Sequence, residues 1–345
     1  MTETLLRVLR ESGYSVELAS RPFSVAASEV GRASVSKVLR IPIFISRIYR
    51  VCRAADDGAL IFFVTNRPAS FLVDCAAAAL IRLLGVRRVD YVHTVGFADL
   101  AKRGRVWRSL VRWFIAGADE TVCLTNSLAS DLEELSASKI TIIPNTVPDR
   151  VPLSRFENRD RSRVRVALFM SNLLPEKGAS TFVRLASVLA ARLPDVVFRL
   201  AGSSNDDRIL ALLRHQIDEA QMSERIFLLG HVDGEKKWEE LAAADVLVFP
   251  SEYRFEAQPL TILEAGSVGT ATVAYGVGGI PETLAVGLGE AVTPGAFDEL
   301  VSSVERTLSR ARIDDDRLDI ADSYAVNFGE DVFRDRWTAL LGNLT

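Results

Sequence analysis

The chain contains few of the residues that build metal centres and disulfides, with three histidines and three cysteines among 345 residues. Cys52, Cys75 and Cys123 lie far apart in apolar surroundings and form no CxxC pair. They are expected to be reduced core residues of a cytoplasmic protein. No HExxH motif occurs, and the acidic triplet at residues 314–316 is expected to be a solvated helix face. The sequence therefore predicts chemistry that uses neither a metal nor a bound cofactor.

Long hydrophobic segments are also missing. The longest apolar run, Cys75–Ile81, is too short to span a bilayer, and Met1–Gly13 lacks the apolar core of a signal peptide. The protein is therefore expected to be soluble or peripheral to a membrane. Its net charge of −4 hides an asymmetry, because residues 1–150 carry 20 basic and 15 acidic side chains and residues 151–345 carry 21 and 30. This contrast suggests two domains with different partners, and the basic excess is too small to indicate nucleic acid.

Short apolar runs alternate with helix-length segments along the whole chain, which predicts right-handed βαβ units and two parallel, Rossmann-like sheets. A polar stretch at 148–163 predicts the boundary between an N-terminal domain, 1–150, and a C-terminal domain, 151–325. A final amphipathic helix in 326–345 is expected to pack back towards the first domain. The predicted strands are Ser15–Ala19, Leu60–Val64, Val89–His93, Thr121–Leu124 and Ile140–Ile143, then Val164–Phe169, Val196–Ala201, Ile226–Leu229, Val246–Phe249 and Thr272–Ala274. Since the chain opens on a helix, the usual first strand and glycine-rich turn of a Rossmann-like domain are predicted to be missing.

A lysine follows the first strand of the second half. In the segment SNLLPEKG, residues 171–178, Lys177 stands just before a helical pattern. Amides at a helix N-terminus and a nearby cation together form a site for phosphate. The alternative is a solvated lysine in a loop.

Two glutamates flank a predicted helix start after the strand that ends at Phe249. Glu256 lies in the loop, Pro259 marks the start, and Glu264 lies about one turn into the helix. Glu264 could accept hydrogen bonds from ribose hydroxyls while the amides near Leu260 and Thr261 face a diphosphate. The pattern suits a sugar nucleotide. Capping or surface ion pairing is the alternative.

Glycines and one histidine complete the candidate site. Gly278 and Gly279 follow a predicted strand and Gly202 follows another, so the backbone there could approach a ligand or form a plain turn. His93 ends a strand of the first half, at the sheet edge where open α/β proteins bind ligands. It could contact or deprotonate an acceptor hydroxyl, or be structural.

Two basic amphipathic stretches lie in the first half and suit an anionic membrane surface. The alternative is a pair of core helices with solvated basic faces. The first stretch carries Lys37, Arg40, Arg47, Arg50 and Arg53 among apolar residues, and the second carries Lys102, Arg103, Arg105, Arg108 and Arg112 beside Trp107 and Trp113.

The second half resembles the donor-binding half of the retaining glycosyltransferases of family 4, which have the GT-B fold. The resemblance rests on SNLLPEKG, LAGSS, FLLGHVDGEKKWEELAAADVLVFPSEYRFEAQPLTILEA and VGGIPE in this order, and KITIIPNTVPD resembles the family's hinge segment. It is strong over about residues 140–285 and weaker elsewhere. It implies two Rossmann-like domains with parallel sheets facing a cleft, a nucleotide-sugar donor held by the second domain and an acceptor held by the first.

The resemblance also implies roles for individual residues. Lys177 would bind donor phosphate, Glu264 the ribose, and Glu256 with the following amides the donor sugar, while Gly279 would line the pocket and His93 the acceptor face. The sugar would be transferred with retention, without a protein nucleophile. Asn172, among the expected donor-binding residues, stands where the family usually has arginine, and Ala257-Gln258-Pro259 replaces its usual Gly-Phe-Gly.

The resulting expectation is a metal-independent hexosyltransferase acting on a glycan or lipid-linked acceptor at the cytoplasmic face of a membrane. It would serve polysaccharide or glycoconjugate synthesis. Two alternatives remain open, which are a catalytically silent GT-B scaffold and a soluble enzyme that makes a small glycoside.

Overall fold

The structure is a computed structural model that describes residues 1–20, 39–54, 58–133, 135, 139–148, 164–310 and 314–344. It divides into two compact units, one formed by Met1–Pro144 with Phe333–Thr345 and the other by Asn145–Val332. Most of the predicted boundary stretch, 149–163, lies outside the described residues. The prediction of two Rossmann-like domains with parallel sheets is confirmed, because every strand pairing among the described residues of both units is parallel.

The first unit contains a four-stranded sheet in the order β1-β2-β3-β4. Its strands are β1 (Ala59–Val64), β2 (Arg87–Val92), β3 (Glu120–Cys123) and β4 (Ile140–Ile142). Its helices are α1 (Thr2–Glu11), α2 (Ile41–Ala54), α3 (Pro68–Leu83), α4 (Phe97–Lys102), α5 (Arg105–Ala116) and α6 (Asn126–Glu133). Proline opens α3, at a position where its missing amide costs no hydrogen bond. The C-terminal segment 333–345 belongs to this unit, where Trp337 packs edge-on against Tyr91 with ring centroids 5.0 Å apart.

The predicted strand Ser15–Ala19 is wrong. These residues have no regular secondary structure, and residues 14–18 instead line a cavity of about 410 Å³ with side chains of α1 and β1. Alternation of apolar residues shows which side chains face inward, whereas a strand also requires a hydrogen-bonded neighbour. Within the described residues, β1 pairs with β2 and has no second neighbour.

A buried ion pair lies in the middle of the first sheet. The Arg88 guanidinium donates to both carboxylate oxygens of Asp90, from Nε at 2.8 Å, and also to the carbonyl oxygen of Phe114 at the end of α5. Both side chains are at most 3% exposed. Burial raises the pKa of Asp90 to about 7, although Arg88 acts in the opposite direction. Arg88 therefore joins α5 to the sheet, and Asp90 compensates its buried charge.

Removal of Arg88 alone is expected to be costly. Arg88→Met should lower the free energy of unfolding by about 3–5 kcal/mol, because it leaves a buried carboxylate uncompensated, and Arg88→Met/Asp90→Leu should recover much of that loss. Urea denaturation measures both. Arg306→Met is the matched control, since Arg306 and Glu290 are also 2.8 Å apart but about half exposed, and it should cost less than about 1 kcal/mol. Equal losses at the two sites would contradict the role of burial.

The second unit contains a six-stranded sheet in the order β10-β9-β8-β5-β6-β7. Its strands are β5 (Arg165–Met170), β6 (Val196–Ala201), β7 (Ile226–Gly230), β8 (Val246–Phe249), β9 (Thr272–Tyr275) and β10 (Gly289–Val292). Its helices are α7 (Ala179–Arg192), α8 (Asp207–Glu219), α9 (Gly234–Ala243), α10 (Leu260–Ser267), α11 (Ile280–Leu284), α12 (Phe297–Arg310) and α13 (Asp314–Phe328), followed by α14 (Glu330–Gly342) that leads into the first unit. The central strands β8 and β9 are buried throughout, as expected of strands covered on both faces.

One arginine of α13 joins the ends of two helices. The Arg317 guanidinium donates to the carbonyl oxygens of Ala244 (2.9 Å) and Ala242 (3.1 Å) at the end of α9, and to that of Val268 (3.1 Å) after α10. A cation at the carbonyl end of a helix also interacts favourably with the helix dipole. Arg317 therefore fixes α9 and α10 relative to each other.

Among the described residues, every helix is too short or too polar to cross a bilayer.

Candidate functional site

The strand order of the second unit places a crevice beside β5. From β5 the chain runs outward through β6 and β7, and it then returns to the other side of β5 to form β8, β9 and β10. Ligands of open α/β sheets bind where the order reverses, at the carboxyl ends of the strands. The loops after β5 and β8, residues 171–178 and 250–259, meet there. The amide of Glu252 donates to the carbonyl oxygen of Glu176 at 2.8 Å, which joins the two loops.

Lys177 and Glu256 form an ion pair at this point, although 79 positions separate them in the sequence. The Lys177 side chain is 14% exposed and that of Glu256 is 8% exposed. The Ser251 hydroxyl donates to the same Glu256 oxygen at 2.7 Å. In the chain, Lys177 ends a short 3₁₀ turn, Pro175–Lys177, that leads into α7.

Two aromatic rings surround the ammonium of Lys177. It lies 4.7 Å from the ring centroid of Tyr253 and 5.9 Å from that of Phe249. Aromatic faces attract cations, and this attraction grows when water is excluded. The rings and the carboxylate together hold the Lys177 side chain in place.

Two glycines allow neighbouring backbones to approach closely. At Gly202, a Cβ atom would lie 2.1 Å from the carbonyl oxygen of Ser171. At Gly278, φ is +57° and a Cβ atom would lie 1.7 Å from the carbonyl oxygen of Glu256. Both positions therefore require glycine to keep the loops of the crevice together. Gly279 instead precedes α11, where its carbonyl oxygen accepts from the Thr283 amide at 3.1 Å and hydroxyl at 2.8 Å.

Glu264 makes a second ion pair, with a lysine that the sequence did not single out. Its carboxylate oxygen lies 2.6 Å from Nζ of Lys237 on α9, and Glu264 is 9% exposed. The Lys237 ammonium also lies 5.3 Å from the ring centroid of Trp238. Lys237 thereby fixes the direction of a carboxylate that has little contact with solvent.

The start of α10 agrees with the predicted helix start. Pro259 occupies the N-cap position, and Leu260 and Thr261, both half-buried, open the helix. The first amides of a helix have no intrahelical acceptor, so they can bind an anion. Asn172 is exposed in the loop after β5, where its carbonyl oxygen accepts from the Leu174 amide at 2.9 Å.

Gln258, which replaces a residue of the usual Gly-Phe-Gly, has a structural partner. Its side-chain oxygen accepts from the Asn145 amide at 2.7 Å, and its side-chain nitrogen donates to the Thr283 hydroxyl at 3.3 Å. Gln258 is 5% exposed. The substitution therefore ties the loop after β8 to α11 and to residue 145.

His93 belongs to the first unit, directly after β2. Its ring stacks on Phe63 with centroids 5.3 Å apart and meets Tyr91 edge-on at 3.9 Å. Its Nε2 is buried and has no hydrogen-bond partner among the described residues. Burial lowers the pKa of His93 to about 3. The imidazole is therefore neutral near pH 7. It is better suited to form a hydrogen bond with a substrate hydroxyl than to remove the proton of that hydroxyl.

Acid is expected to destabilise the protein through His93. Below its ordinary pKa of about 6.5 the unfolded chain binds a proton at this position that the folded chain does not bind until about pH 3. Its contribution to the free energy of unfolding therefore falls as the pH drops through this window. Between pH 7.5 and pH 5, the wild type should lose about 2 kcal/mol more than His93→Gln in urea denaturation. Parallel pH profiles for the two proteins would contradict the assignment.

Within the described residues, no group of three or more His, Cys, Asp and Glu side chains could hold a metal ion. The expected metal-free chemistry stays a prediction.

Comparison with known families decides what this site belongs to. The model of Glycosyltransferase Family 4 matches residues 1–151, and that of Glycosyl transferases group 1 matches residues 151–321. The chain belongs to glycosyltransferase family 4. The resemblance found in the sequence is thereby confirmed.

Several curated relatives of the chain carry names that mention phosphatidylinositol, among them a plant protein and a mycobacterial one. A phosphatidylinositol N-acetylglucosaminyltransferase component of Arabidopsis thaliana is 27% identical over 66% of the chain, which spans only 50% of the plant protein. The GDP-mannose-dependent alpha-(1-6)-phosphatidylinositol monomannoside mannosyltransferase of Mycolicibacterium smegmatis is 25% identical over 82% of the chain and 75% of its own length.

Solved structures share the fold. Sucrose-phosphate synthase from Thermosynechococcus elongatus matches with a TM-score of 0.70 at 18% identity, over 91% of this chain and 80% of that one. Anabaena HepE in complex with UDP matches with a TM-score of 0.68 at 17% identity, over 86% and 82%. These likenesses show the GT-B fold that the sequence predicted.

Proposed function

We propose that the protein is a retaining glycosyltransferase that moves a sugar from a nucleotide-sugar donor to a lipid-linked glycan acceptor in polysaccharide or glycoconjugate synthesis. We place it in the cytoplasm, at the inner face of the membrane. The observation that carries this proposal is the buried Lys177–Glu256 pair at the strand-order reversal of the second unit, in a chain of family 4.

The second unit would hold the donor. Lys177 and the first amides of α10 supply positive charge for the diphosphate, and Glu264 supplies acceptors for the ribose hydroxyls. In the structure Lys177 pairs with Glu256. When the donor binds, its diphosphate would replace Glu256 as the partner of Lys177. This exchange frees Glu256 to accept hydrogen bonds from the donor sugar. The complex of Anabaena HepE with UDP supports a nucleotide ligand for this fold.

The transfer step needs no protein nucleophile. The bond between the anomeric carbon and the diphosphate oxygen breaks, the acceptor oxygen bonds to the anomeric carbon on the same face, and the acceptor proton passes to the leaving diphosphate. The charge that develops on the diphosphate is stabilised by Lys177 and by the N-terminus of α10. Because these groups of the chain stabilise the charge without a metal ion, chelation of metals with EDTA should leave the transfer rate unchanged.

The acceptor would contact the first unit through His93. A neutral imidazole with an unsatisfied Nε2 gains a hydrogen bond when a hydroxyl arrives. The names of the plant and mycobacterial relatives, both of which mention phosphatidylinositol, support a lipid-linked acceptor.

A panel of UDP-, GDP- and dTDP-sugars tests the proposal, first by calorimetric binding and then by transfer to lipid-linked acceptors analysed by NMR for the anomeric configuration. We expect one donor to bind and the product to keep the configuration of that donor. Binding without transfer would instead indicate a silent scaffold, and transfer only to small soluble acceptors would indicate a small-glycoside enzyme. Absence of binding for every donor would overturn the proposal.

Loss of either assigned donor contact should be severe. Lys177→Ala and Glu264→Ala should each lower kcat/KM by about a hundredfold, the usual cost of one preorganised electrostatic contact. Initial-rate kinetics with the donor found above measures this. Lys236→Ala is the control, because Lys236 is exposed on α9 beside Lys237. Wild-type rates in either site variant would refute its role.

Lys237 should act through Glu264. Lys237→Met is expected to raise the donor KM by about tenfold, because the carboxylate loses the cation that directs it. In a chain that already carries Glu264→Gln, Lys237→Met should change the donor KM little further. A double-mutant cycle would report this as a coupling energy between the two side chains. Lys236→Met serves as the neighbouring control. Fully additive effects would mean that the two side chains act independently.

A further inference from the structure

Three neighbouring helices of the first unit share an unusual charge distribution. Helix α3 packs against both α2 and α5. The three helices contain a single carboxylate, Asp74 on α3, which is fully buried and accepts from the amide and hydroxyl of Thr65 at 2.9 and 2.8 Å. Their outer surfaces therefore present no negative side chain.

The same surfaces carry several arginines. They are Arg50 and Arg53 on α2, Arg82 on α3, and Arg105, Arg108 and Arg112 on α5. All six are exposed, and none forms an ion pair within the part of the chain that the structure describes. Charges of one sign without counter-charges attract an anionic partner over about a Debye length.

The same three helices also expose large apolar side chains. They are Ile43 and Tyr49 on α2, Leu72 and Leu83 on α3, and Val106 and Trp113 on α5, with Leu83 82% and Val106 72% exposed. On α3, the exposed positions 72, 76, 79 and 83 form one stripe at helical spacing and are all leucine or alanine. A contiguous apolar stripe in water usually marks an interaction site.

We propose that this three-helix face, defined by the six arginines and six apolar residues above, docks on a bilayer that contains anionic phospholipid. Apolar side chains would enter the acyl boundary while the arginines meet phosphate groups, and Tyr49 and Trp113 suit the interface between them. Nucleic acid would match the arginines but not the leucine stripe. A symmetric contact with a second copy would set two faces of like charge against each other.

This inference rests on the membrane placement in the proposed function and deepens it by naming the face that docks, but docking itself requires neither a donor nor sugar transfer. If both hold, docking brings the first unit to the surface where a lipid-linked acceptor lies. Vesicle binding and sugar transfer are separate measurements. A chain that binds vesicles but transfers no sugar would overturn the proposed transfer and leave this inference standing. One that transfers sugar but does not bind vesicles would overturn this inference and the placement at the membrane, and would leave the proposed transfer standing.

Flotation of the full chain with phosphatidylcholine vesicles, with and without phosphatidylglycerol, tests the docking. We expect binding only when phosphatidylglycerol is present, weakening as salt rises. Arg50→Glu/Arg108→Glu should reduce the partition coefficient by about a hundredfold. Arg208→Glu/Arg214→Glu, which changes the same charge at exposed positions of α8 in the second unit, should leave it unchanged.

The apolar stripe has its own matched pair of variants. Leu72→Gln/Leu83→Gln should reduce vesicle binding by at least about tenfold, because apolar area no longer leaves water. Leu212→Gln/Val326→Gln is the control, since these side chains are similarly exposed, 49% and 72%, in the second unit. Thermal unfolding checks that all four variants fold. If a variant does not fold, the docking proposal is tested by the lipid and salt dependence of wild-type binding.

Several results would overturn the proposal. They are equal binding to neutral and anionic vesicles, absence of binding to either, or equal losses in the face variants and their controls. The wild type could fail to bind vesicles and yet self-associate in sedimentation. If the face variants then lose that self-association, the face binds a second copy of the chain instead.

Discussion

The proposed chemistry depends on one buried ion pair, between Lys177 and Glu256. Each charge alone would lose its hydration with little in return, so neither would be stable in this crevice without the other. The Ser251 hydroxyl and the ring of Tyr253 complete their surroundings. An ammonium held in this way cannot turn into solvent before the donor arrives. It is ready for an anion, and only an anion that compensates it better than Glu256 does will displace that carboxylate.

Chain topology explains why these residues meet. Lys177 follows β5 and Glu256 follows β8, and these strands pair as neighbours although two further βα units separate them in the sequence. The reversal of strand order at β5 opens the space between their carboxyl ends. Close backbone contact at Gly202 and Gly278 keeps the adjoining loops within reach. Arg317 has a similar role for the second ion pair, because it holds together α9 and α10, which carry Lys237 and Glu264.

Much of this architecture could be predicted from the sequence, because alternating apolar runs and helical patterns leave few arrangements other than parallel sheets. The exception, Ser15–Ala19, had the pattern of a strand but no hydrogen-bonding neighbour. Lys177, Glu256 and Glu264 were found through motif spacing. Lys237 and Ser251 were not, since the choice of a partner is made in three dimensions. The outer stripe of α3 was missed for another reason: a helix that is apolar all round resembles a core helix, and only its surroundings show that Leu72 and Leu83 are exposed.

The most direct measurement is a crystal structure of the protein with UDP or GDP bound. The account predicts that Nζ of Lys177 leaves Glu256 and donates to a phosphate oxygen, while the ribose hydroxyls donate to the carboxylate of Glu264. A nucleotide bound elsewhere, with the Lys177–Glu256 pair intact, would contradict it.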